Sequence, residues 1–204
     1  MNDVRVDLLR AQIEALQQKL EFLQQGVYLD EETGVYNRRA LTELGEREVQ
    51  RAKRYHRPLT VIAAGLDQFE RIEQVYGPNT AKTVVAETAE VLDQALRATD
   101  ILGYWGDGIF ILVLSETNAA GGQYVAERLV ETIAEKIFVV GSARVRVTLS
   151  TGMSVYAPDE AADPTTFDVL LRRALVALEE AQSSGKGVIV VWVPTLGEEP
   201  LIEL

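Results

Sequence analysis

One apolar segment constrains the fold of this chain most strongly. The run at 59–66, LTVIAAGL, has no charged side chain and directly follows a proline. It has the length of a strand but lacks the polar and apolar alternation of a strand with one solvated face. The run therefore predicts a strand that is covered on both faces, within a sheet that has helices packed on it.

The segments around this strand alternate between helical and strand patterns. We predict helices over 38–57, 68–75, 79–96, 119–136 and 167–181, and strands over 59–66, 100–105, 109–114, 137–140, 145–155 and 188–193. Gly-Asp-Gly at 106–108 predicts a hairpin turn between two of the strands. From the first strand the order is β, α, α, β, β, α, β, β, α, β. This order predicts an α/β (α+β) fold with a central, mostly antiparallel sheet flanked by helices.

The N-terminal segment carries a separate pattern. Apolar residues recur there at alternating intervals of three and four, which is the seam of a coiled coil over about three heptads. The seam residues are Val6, Leu9, Ile13, Leu16, Leu20, Leu23 and Val27. With Val6 at heptad position a, leucine occupies every d position, which favours a parallel coiled-coil homodimer. The alternative is an amphipathic helix packed on its own domain. We predict a coiled-coil signalling helix at 1–28, a folded domain at 29–193 and a tail at 194–204.

Composition excludes several classes of function. The chain of 204 residues has 31 Asp and Glu against 20 Lys and Arg, giving a net charge of −11, which disfavours nucleic acid as a partner. It has no cysteine and one histidine, which excludes disulfides, thiolate metal sites and multi-histidine metal centres. No apolar run approaches the ~20 residues of a membrane span. We therefore expect a cytoplasmic protein that binds neither nucleic acid nor membrane.

Six short motifs follow one another along the folded domain. They are DEETGVYNRRAL at 30–41, GLDQF at 65–69, YG at 76–77, RATD at 97–100 with GDGIF at 106–110, TLSTG at 148–152, and LLRRALVALEEAQSSGK at 170–186. In this order they resemble the GGDEF domains, the family of the diguanylate cyclases and their relatives. The resemblance implies the α/β fold shared by class III nucleotide cyclases and polymerase palms.

The resemblance also implies a chemistry, the joining of two GTP molecules with divalent cations held by carboxylates. One metal ligand in the family is the first acid of D-I-D, and that position is Gly65 here. A second is the Glu of GGDEF, and that position is Ile109 when the Phe of the motif is placed on Phe110. No catalytic residue and no metal ligand is therefore assigned, and we predict that the chain is not an enzyme.

The hairpin motif allows two registers. The spacing from Arg97 to Gly106 equals the family spacing and supports the first register. In the second register Asp107 matches the Asp of the motif, and Gly108 stands at the Glu position. A displaced metal site that uses Asp67 and Asp107 is the least favoured alternative, because these residues also suit a helix cap and a turn.

Substrate-binding positions of the family are changed as well. The residues that read guanine correspond to Glu73 and Lys82 here, and neither offers the hydrogen-bonding groups that the family uses. The phosphate-binding Lys of the last motif is Gln182, while Lys186 keeps a cation at the following Arg position. These changes support the prediction of an inactive, degenerate domain.

One ligand-binding motif of the family is retained. Arg97 and Asp100 form the R-x-x-D that in the family makes an inhibitory product site. An Arg fork suits phosphate or guanine, and the Asp accepts from a guanine edge. We predict a catalytically inactive cyclic di-GMP receptor without a cofactor, acting on an unidentified signalling protein. A dimeric protein-interaction adaptor that binds no nucleotide is the alternative, and an active cyclase with a displaced metal site is the least favoured.

Overall fold

A computed structural model of the chain describes residues 28–141, 143–158 and 165–193. Its helices are α1 (Arg38–Tyr55), α2 (Phe69–Tyr76), α3 (Pro78–Gln94), α4 (Ala119–Glu135) and α5 (Phe167–Ser184). Its strands are β1 (Leu59–Leu66), β2 (Ile101–Gly106), β3 (Ile109–Ser115), β4 (Phe138–Val140), β5 (Ala143–Val145), β6 (Leu149–Tyr156) and β7 (Ile189–Val191). The order of helices and strands is the predicted one, except that three strands and not two lie between α4 and α5.

The main sheet has five strands in the order β2-β3-β1-β6-β7. All its pairings are antiparallel except that of β6 with β7. β1 lies at the centre of the sheet, and all of its residues are buried. The sheet is therefore central and mostly antiparallel, which confirms the predicted fold class.

Two apolar cores cover the two faces of the sheet. Alternate residues of β1 enter opposite cores, because successive side chains of a strand point to opposite faces. Ile62 packs with residues of α3 and α4, including Leu129. Val61 packs with residues of α1 and α5, including Leu41 and Leu170. This double covering explains why the β1 segment has no polar face.

The predicted strand over 145–155 is wrong in one respect, because it is two strands. β5 pairs with β4 as a separate hairpin, and β6 begins only at Leu149. Between them, the Thr148 carbonyl accepts a hydrogen bond from the Asp67 N–H at 2.9 Å. The Thr148 hydroxyl donates to the Asp67 carboxylate at 2.5 Å. These contacts with the end of β1 separate the two strands, and apolar periodicity does not reveal them.

The predicted N-terminal seam, from Val6 to Val27, and the predicted tail at 194–204 lie outside the described residues. In the part of the chain that is described, no helix is both long and apolar enough to span a bilayer.

Candidate functional site

The two positions at which the family has metal-binding acids lie side by side. Gly65, near the end of β1, is the direct cross-strand partner of Ile109 at the start of β3. A Cβ atom at Gly65 would lie 2.7 Å from the Gln182 amide nitrogen and 3.1 Å from a methyl group of Leu178. The Gln182 side chain thus occupies the space into which a side chain at position 65 would extend.

The hairpin between β2 and β3 is built from three left-handed residues. Gly106, Asp107 and Gly108 have φ values of 107°, 52° and 74°, and the Asp107 side chain is exposed. Glycine adopts such angles without strain, and Asp is among the few other residues that tolerate the left-handed region. A Cβ at Gly108 would also lie 2.8 Å from the ring of Phe69. Asp107 and its two glycines therefore make the turn, as the sequence predicts.

Phe110 and Tyr104 fix the base of this hairpin. Phe110 is fully buried, and its ring centroid lies 5.2 Å from that of Tyr104. The Tyr104 hydroxyl accepts a hydrogen bond from the Gly108 N–H at 3.3 Å. Burial raises the pKa of Tyr104 above its ordinary 10.0, and the nearby carboxylates of Asp30 and Asp107 raise it further.

This raised pKa predicts a loss of stability at alkaline pH. Tyr104 loses its proton at a lower pH in the unfolded chain than in the folded protein. The free energy of unfolding therefore falls as the pH rises from about 10 through the higher pKa of the folded state. In Tyr104→Phe this part of the pH dependence is expected to disappear. Urea unfolding of both proteins at about pH 8 and about pH 11 measures it. Equal losses of unfolding free energy in the two proteins would contradict the assignment.

Asp67 does not cap the helix that follows it. Gln68 stands at the N-cap of α2 and makes no side-chain cap bond. Asp67 is buried, with 7% of its surface exposed. Its carboxylate accepts one hydrogen bond from the Thr148 hydroxyl and another from the Gly187 N–H at 3.0 Å. The interpretation of Asp67 as a helix cap is therefore wrong: its carboxylate joins the end of β1 to the segment before β6 and the loop before β7.

The positions that read guanine in the family are engaged differently or exposed. Lys82 forms an ion pair with Glu32, which raises the pKa of the Lys82 ammonium. Glu73 lies exposed on α2, and its carbonyl accepts the Gly77 N–H at 2.9 Å. The loop that precedes α1 thus supplies the partner of Lys82.

The side chains at the family's metal positions do not fit a pair of divalent-metal ligands. Gly65 and Ile109 supply no oxygen, while one Asp67 oxygen is engaged by two protein donors. Among residues 28–141, 143–158 and 165–193, no group of three or more His, Asp or Glu side chains is arranged to hold a metal ion. No catalytic step through a metal follows from these positions.

The retained R-x-x-D motif forms a compact turn between α3 and β2. The Arg97 N–H donates to the Asp100 carboxylate at 3.0 Å, and the Asp100 N–H donates to the Arg97 carbonyl at 2.9 Å. The Arg97 side chain is exposed, and among the described residues its guanidinium has no hydrogen bond or ion pair. The turn therefore holds the two residues together and leaves the guanidinium available to a ligand.

A cavity of about 490 Å³ adjoins this turn. Arg97 and Asp100 line it together with Arg128 and Tyr124 of α4. Arg128 donates to the Ala95 carbonyl, and its guanidinium carbon lies 5.9 Å from the centre of the Tyr124 ring. Tyr124 is 64% exposed. Two guanidinium groups, the carboxylates of Asp100 and Glu116, and an accessible aromatic ring thus meet at one cavity.

Sequence reasoning misses Arg128 and Tyr124. They lie on the exposed face of an ordinary amphipathic helix, where Arg and Tyr carry no signal of their own. Their distance in sequence from Arg97 gives no indication of contact. The one hint in the sequence is that Tyr124 and Arg128 are four residues apart, which places them on the same face of α4.

A second cavity, of about 410 Å³, lies on the other side of the turn. Arg97 and Asp100 line this cavity too, but here they are joined by Glu90 and Asp93 of α3. Three carboxylates against one guanidinium make this side unfavourable for an anion. The two cavities therefore differ in the charge of the ligand that they suit.

The comparison with protein families matches residues 27–187 to the model described as diguanylate cyclase, GGDEF domain. The response regulator PleD of Caulobacter vibrioides is 29% identical over 163 residues, which cover 79% of this chain and 35% of PleD. Diguanylate cyclase DgcP of Pseudomonas aeruginosa is 29% identical over 182 residues, covering 89% of this chain and 26% of DgcP. The chain spans about a third or less of the length of these relatives.

Solved structures show the same fold. The coiled coil and GGDEF domain of DgcB from Caulobacter crescentus, in complex with c-di-GMP, has a TM-score of 0.83 at 18% identity, covering 93% of this chain and 98% of that one. The active GGEEF domain of a diguanylate cyclase from Vibrio cholerae has a TM-score of 0.70 at 25% identity, covering 77% of this chain and 97% of that one.

The prediction that the chain is not an enzyme is contradicted by these comparisons. DgcP is named a diguanylate cyclase, and the similar Vibrio cholerae domain is described as active. The prediction depended on Gly65 and Ile109 and was supported by the changes at Glu73, Lys82 and Gln182. The side chains at these positions do not by themselves exclude turnover. With the family model matching most of the chain, and with the fold and ordered motifs in agreement, the chain belongs to the GGDEF domain family of diguanylate cyclases.

Proposed function

We propose that this domain is a signalling module that binds cyclic di-GMP in the cavity lined by Arg97, Asp100, Tyr124 and Arg128. The observation that carries the proposal is the convergence of two guanidinium groups, the Asp100 carboxylate and the Tyr124 ring on a single cavity of about 490 Å³, which Glu116 also lines. We also propose that the module acts in the cytoplasm on a signalling protein.

The chemistry of the cavity suits this ligand. Cyclic di-GMP has two phosphates and two guanines. A guanidinium binds a phosphate through two parallel hydrogen bonds, and the same fork pairs with the O6 and N7 edge of guanine. Asp100 accepts from guanine N–H groups, and Tyr124 offers a face on which a base stacks. Each group lining the cavity thus has a partner on the ligand.

The charges around the cavity support the choice of this side of the turn. Glu116 also lines it, but Glu116 forms an ion pair with Arg51 at 3.9 Å. Its charge is partly offset by Arg51, while the partner of Arg128 is a neutral backbone carbonyl, so both arginines of the cavity keep a positive charge for a ligand. The other cavity at the turn has Glu90 and Asp93 instead, and neither carboxylate has a cationic partner within residues 28–141, 143–158 or 165–193.

Thermal unfolding with added ligand tests the proposal. Cyclic di-GMP at about one hundred times its Kd is expected to stabilise the protein by about 2.7 kcal/mol and raise Tm by several degrees. GMP at the same concentration, with one base and one phosphate, is expected to raise it much less. An unchanged Tm with saturating cyclic di-GMP would instead support the adaptor function without a nucleotide.

We further propose that the heptad seam at the N-terminus makes the protein a parallel dimer. Leu16→Glu replaces a leucine at a d position of the seam with a charged residue. A parallel dimer would bury the two introduced carboxylates against each other, which is unfavourable. The variant is expected to be a monomer by light scattering at concentrations where the parent is a dimer. Gln18→Glu adds the same charge outside the seam and is expected to remain dimeric. A parent that is itself monomeric would contradict the proposal.

A further inference from the structure

We propose a second anion site beside the end of β1, in a cavity of about 540 Å³ that takes a small phosphate-bearing molecule. Three cationic side chains line this cavity: Arg71 of α2, Arg146 of the β5–β6 link, and Lys186 of the loop before β7. Asp67 is the single acid among its lining residues. In a chain with a net charge of −11, this is a local excess of positive charge.

The three cations are available to a ligand. All three side chains are exposed, and among the described residues none of them forms a hydrogen bond or an ion pair. Three positive charges share the cavity with one carboxylate, which is engaged by Thr148 and Gly187, so these positive charges repel one another and a bound anion relieves that repulsion. Guanidinium and ammonium groups are the side chains that bind phosphate oxygens most strongly.

Asp67 positions the segments that carry these cations. Its carboxylate accepts from the Thr148 hydroxyl, two residues after Arg146, and from the Gly187 N–H, the residue after Lys186. Arg71 follows four residues later on α2. One buried carboxylate thus ties together the three segments, although its second oxygen has no hydrogen-bond partner among the described residues. Asp67 is a positioning residue for the site.

The cavity shares Asp67 and Lys186 with the active-site positions of the family. Its other two cations, Arg71 and Arg146, lie outside those positions. Gly65, the 106–110 hairpin, Glu73 and Lys82 do not line it, and neither do Arg97 or Arg128. Val75 and Tyr76 of α2 form part of its wall, with 62% and 44% of their surfaces exposed. The wall therefore offers apolar contact beside the cations, which suits a phosphate carried on an organic body.

Calorimetric titration with inorganic pyrophosphate tests the charged part of the site. The parent is expected to show saturable binding, and Arg71→Gln/Arg146→Gln is expected to weaken it by more than about tenfold, because two charge-assisted hydrogen bonds are lost. Arg47→Gln removes the same charge from the exposed face of α1 and is expected to bind as the parent does. Arg97→Ala is expected to bind pyrophosphate normally, which separates this site from that for cyclic di-GMP.

A positioning role for Asp67 and a purely electrostatic role predict opposite changes in anion affinity. If Asp67 acted only through its charge, Asp67→Asn would strengthen anion binding. The proposed role predicts weaker binding, because the neutral amide oxygen of Asn holds the Thr148 and Gly187 donors less strongly than the carboxylate does. Thr148→Val removes one of the two donors without changing the charge, and it carries the same expectation if Asp67→Asn does not fold.

The site is overturned by any of three results. These are no saturable heat with millimolar pyrophosphate, unchanged affinity in the double arginine variant, or an equal loss in Arg47→Gln. Stronger binding by Asp67→Asn, or unchanged binding by Thr148→Val, would overturn the positioning role.

Discussion

Replacing Gly152 with alanine is expected to lower the free energy of unfolding by more than about 3 kcal/mol, beyond the usual range for an overpacked core. Gly152 lies in β6, between Ala63 of β1 and Val190 of β7. A Cβ there would lie 2.1 Å from the Leu178 nitrogen and 2.2 Å from the Ala174 oxygen. These are backbone atoms of α5, which cannot rotate away, so the helix would have to move off the sheet.

A second glycine provides the matched control. Gly121 lies in the first turn of α4, and its nearest contact for a Cβ is a methyl group of Thr117 at 3.0 Å. Alanine is preferred over glycine in a helix by about 1 kcal/mol, so Gly121→Ala is expected to be neutral or stabilising. Urea unfolding of the two variants measures both effects. A Gly152→Ala protein as stable as its parent would contradict the close packing of α5 on β6.

Arg97→Ala is expected to weaken cyclic di-GMP binding by about thirtyfold or more. The Arg97 guanidinium has no partner within the described part of the chain. The Arg97–Asp100 turn is held through the N–H and the carbonyl of residue 97, which alanine retains. The variant therefore keeps the turn and loses only the cation. Removing a charged hydrogen-bond donor from a bound anion costs about 2 kcal/mol, which corresponds to that factor.

Arg128→Ala and Arg47→Ala complete this experiment. Arg128 lines the same cavity, so its loss is expected to weaken binding by a similar factor. Arg47 lies exposed on α1 and does not line the cavity, and its loss is expected to leave the affinity unchanged. Retention of parental affinity by both Arg97→Ala and Arg128→Ala would show that the ligand binds elsewhere.

Much of the fold could be predicted from the sequence because apolar patterning and turn residues are local. The continuous apolar run of β1 reports that both its faces are covered, and the structure confirms this. The glycines of the 106–108 turn predict the hairpin, because positive φ angles are favoured by particular residue types, above all glycine. The division of the 145–155 segment could not be predicted, since it depends on Asp67, which is distant in sequence.

The candidate sites were predicted less completely, for a related reason. The R-x-x-D motif is contiguous, so Arg97 and Asp100 could be found by inspection. Arg128 and Tyr124 reach the same cavity only through the packing of α4 beside the end of α3. Similarly, Asp67 suggested a helix cap, but tertiary structure offers its carboxylate the donors of Thr148 and Gly187. The tendency of Asp to cap the next helix was overridden because segments distant in sequence supplied hydrogen-bond donors to its carboxylate.

The function of the Arg97 cavity is tested most directly by calorimetric titration of the parent protein and of Arg97→Ala/Arg128→Ala with cyclic di-GMP. The parent is expected to bind with micromolar or tighter affinity, and the double variant is expected to show no saturable heat over the same range. Absence of binding by the parent, or equal binding by both proteins, would contradict the proposal that this cavity is a cyclic di-GMP site.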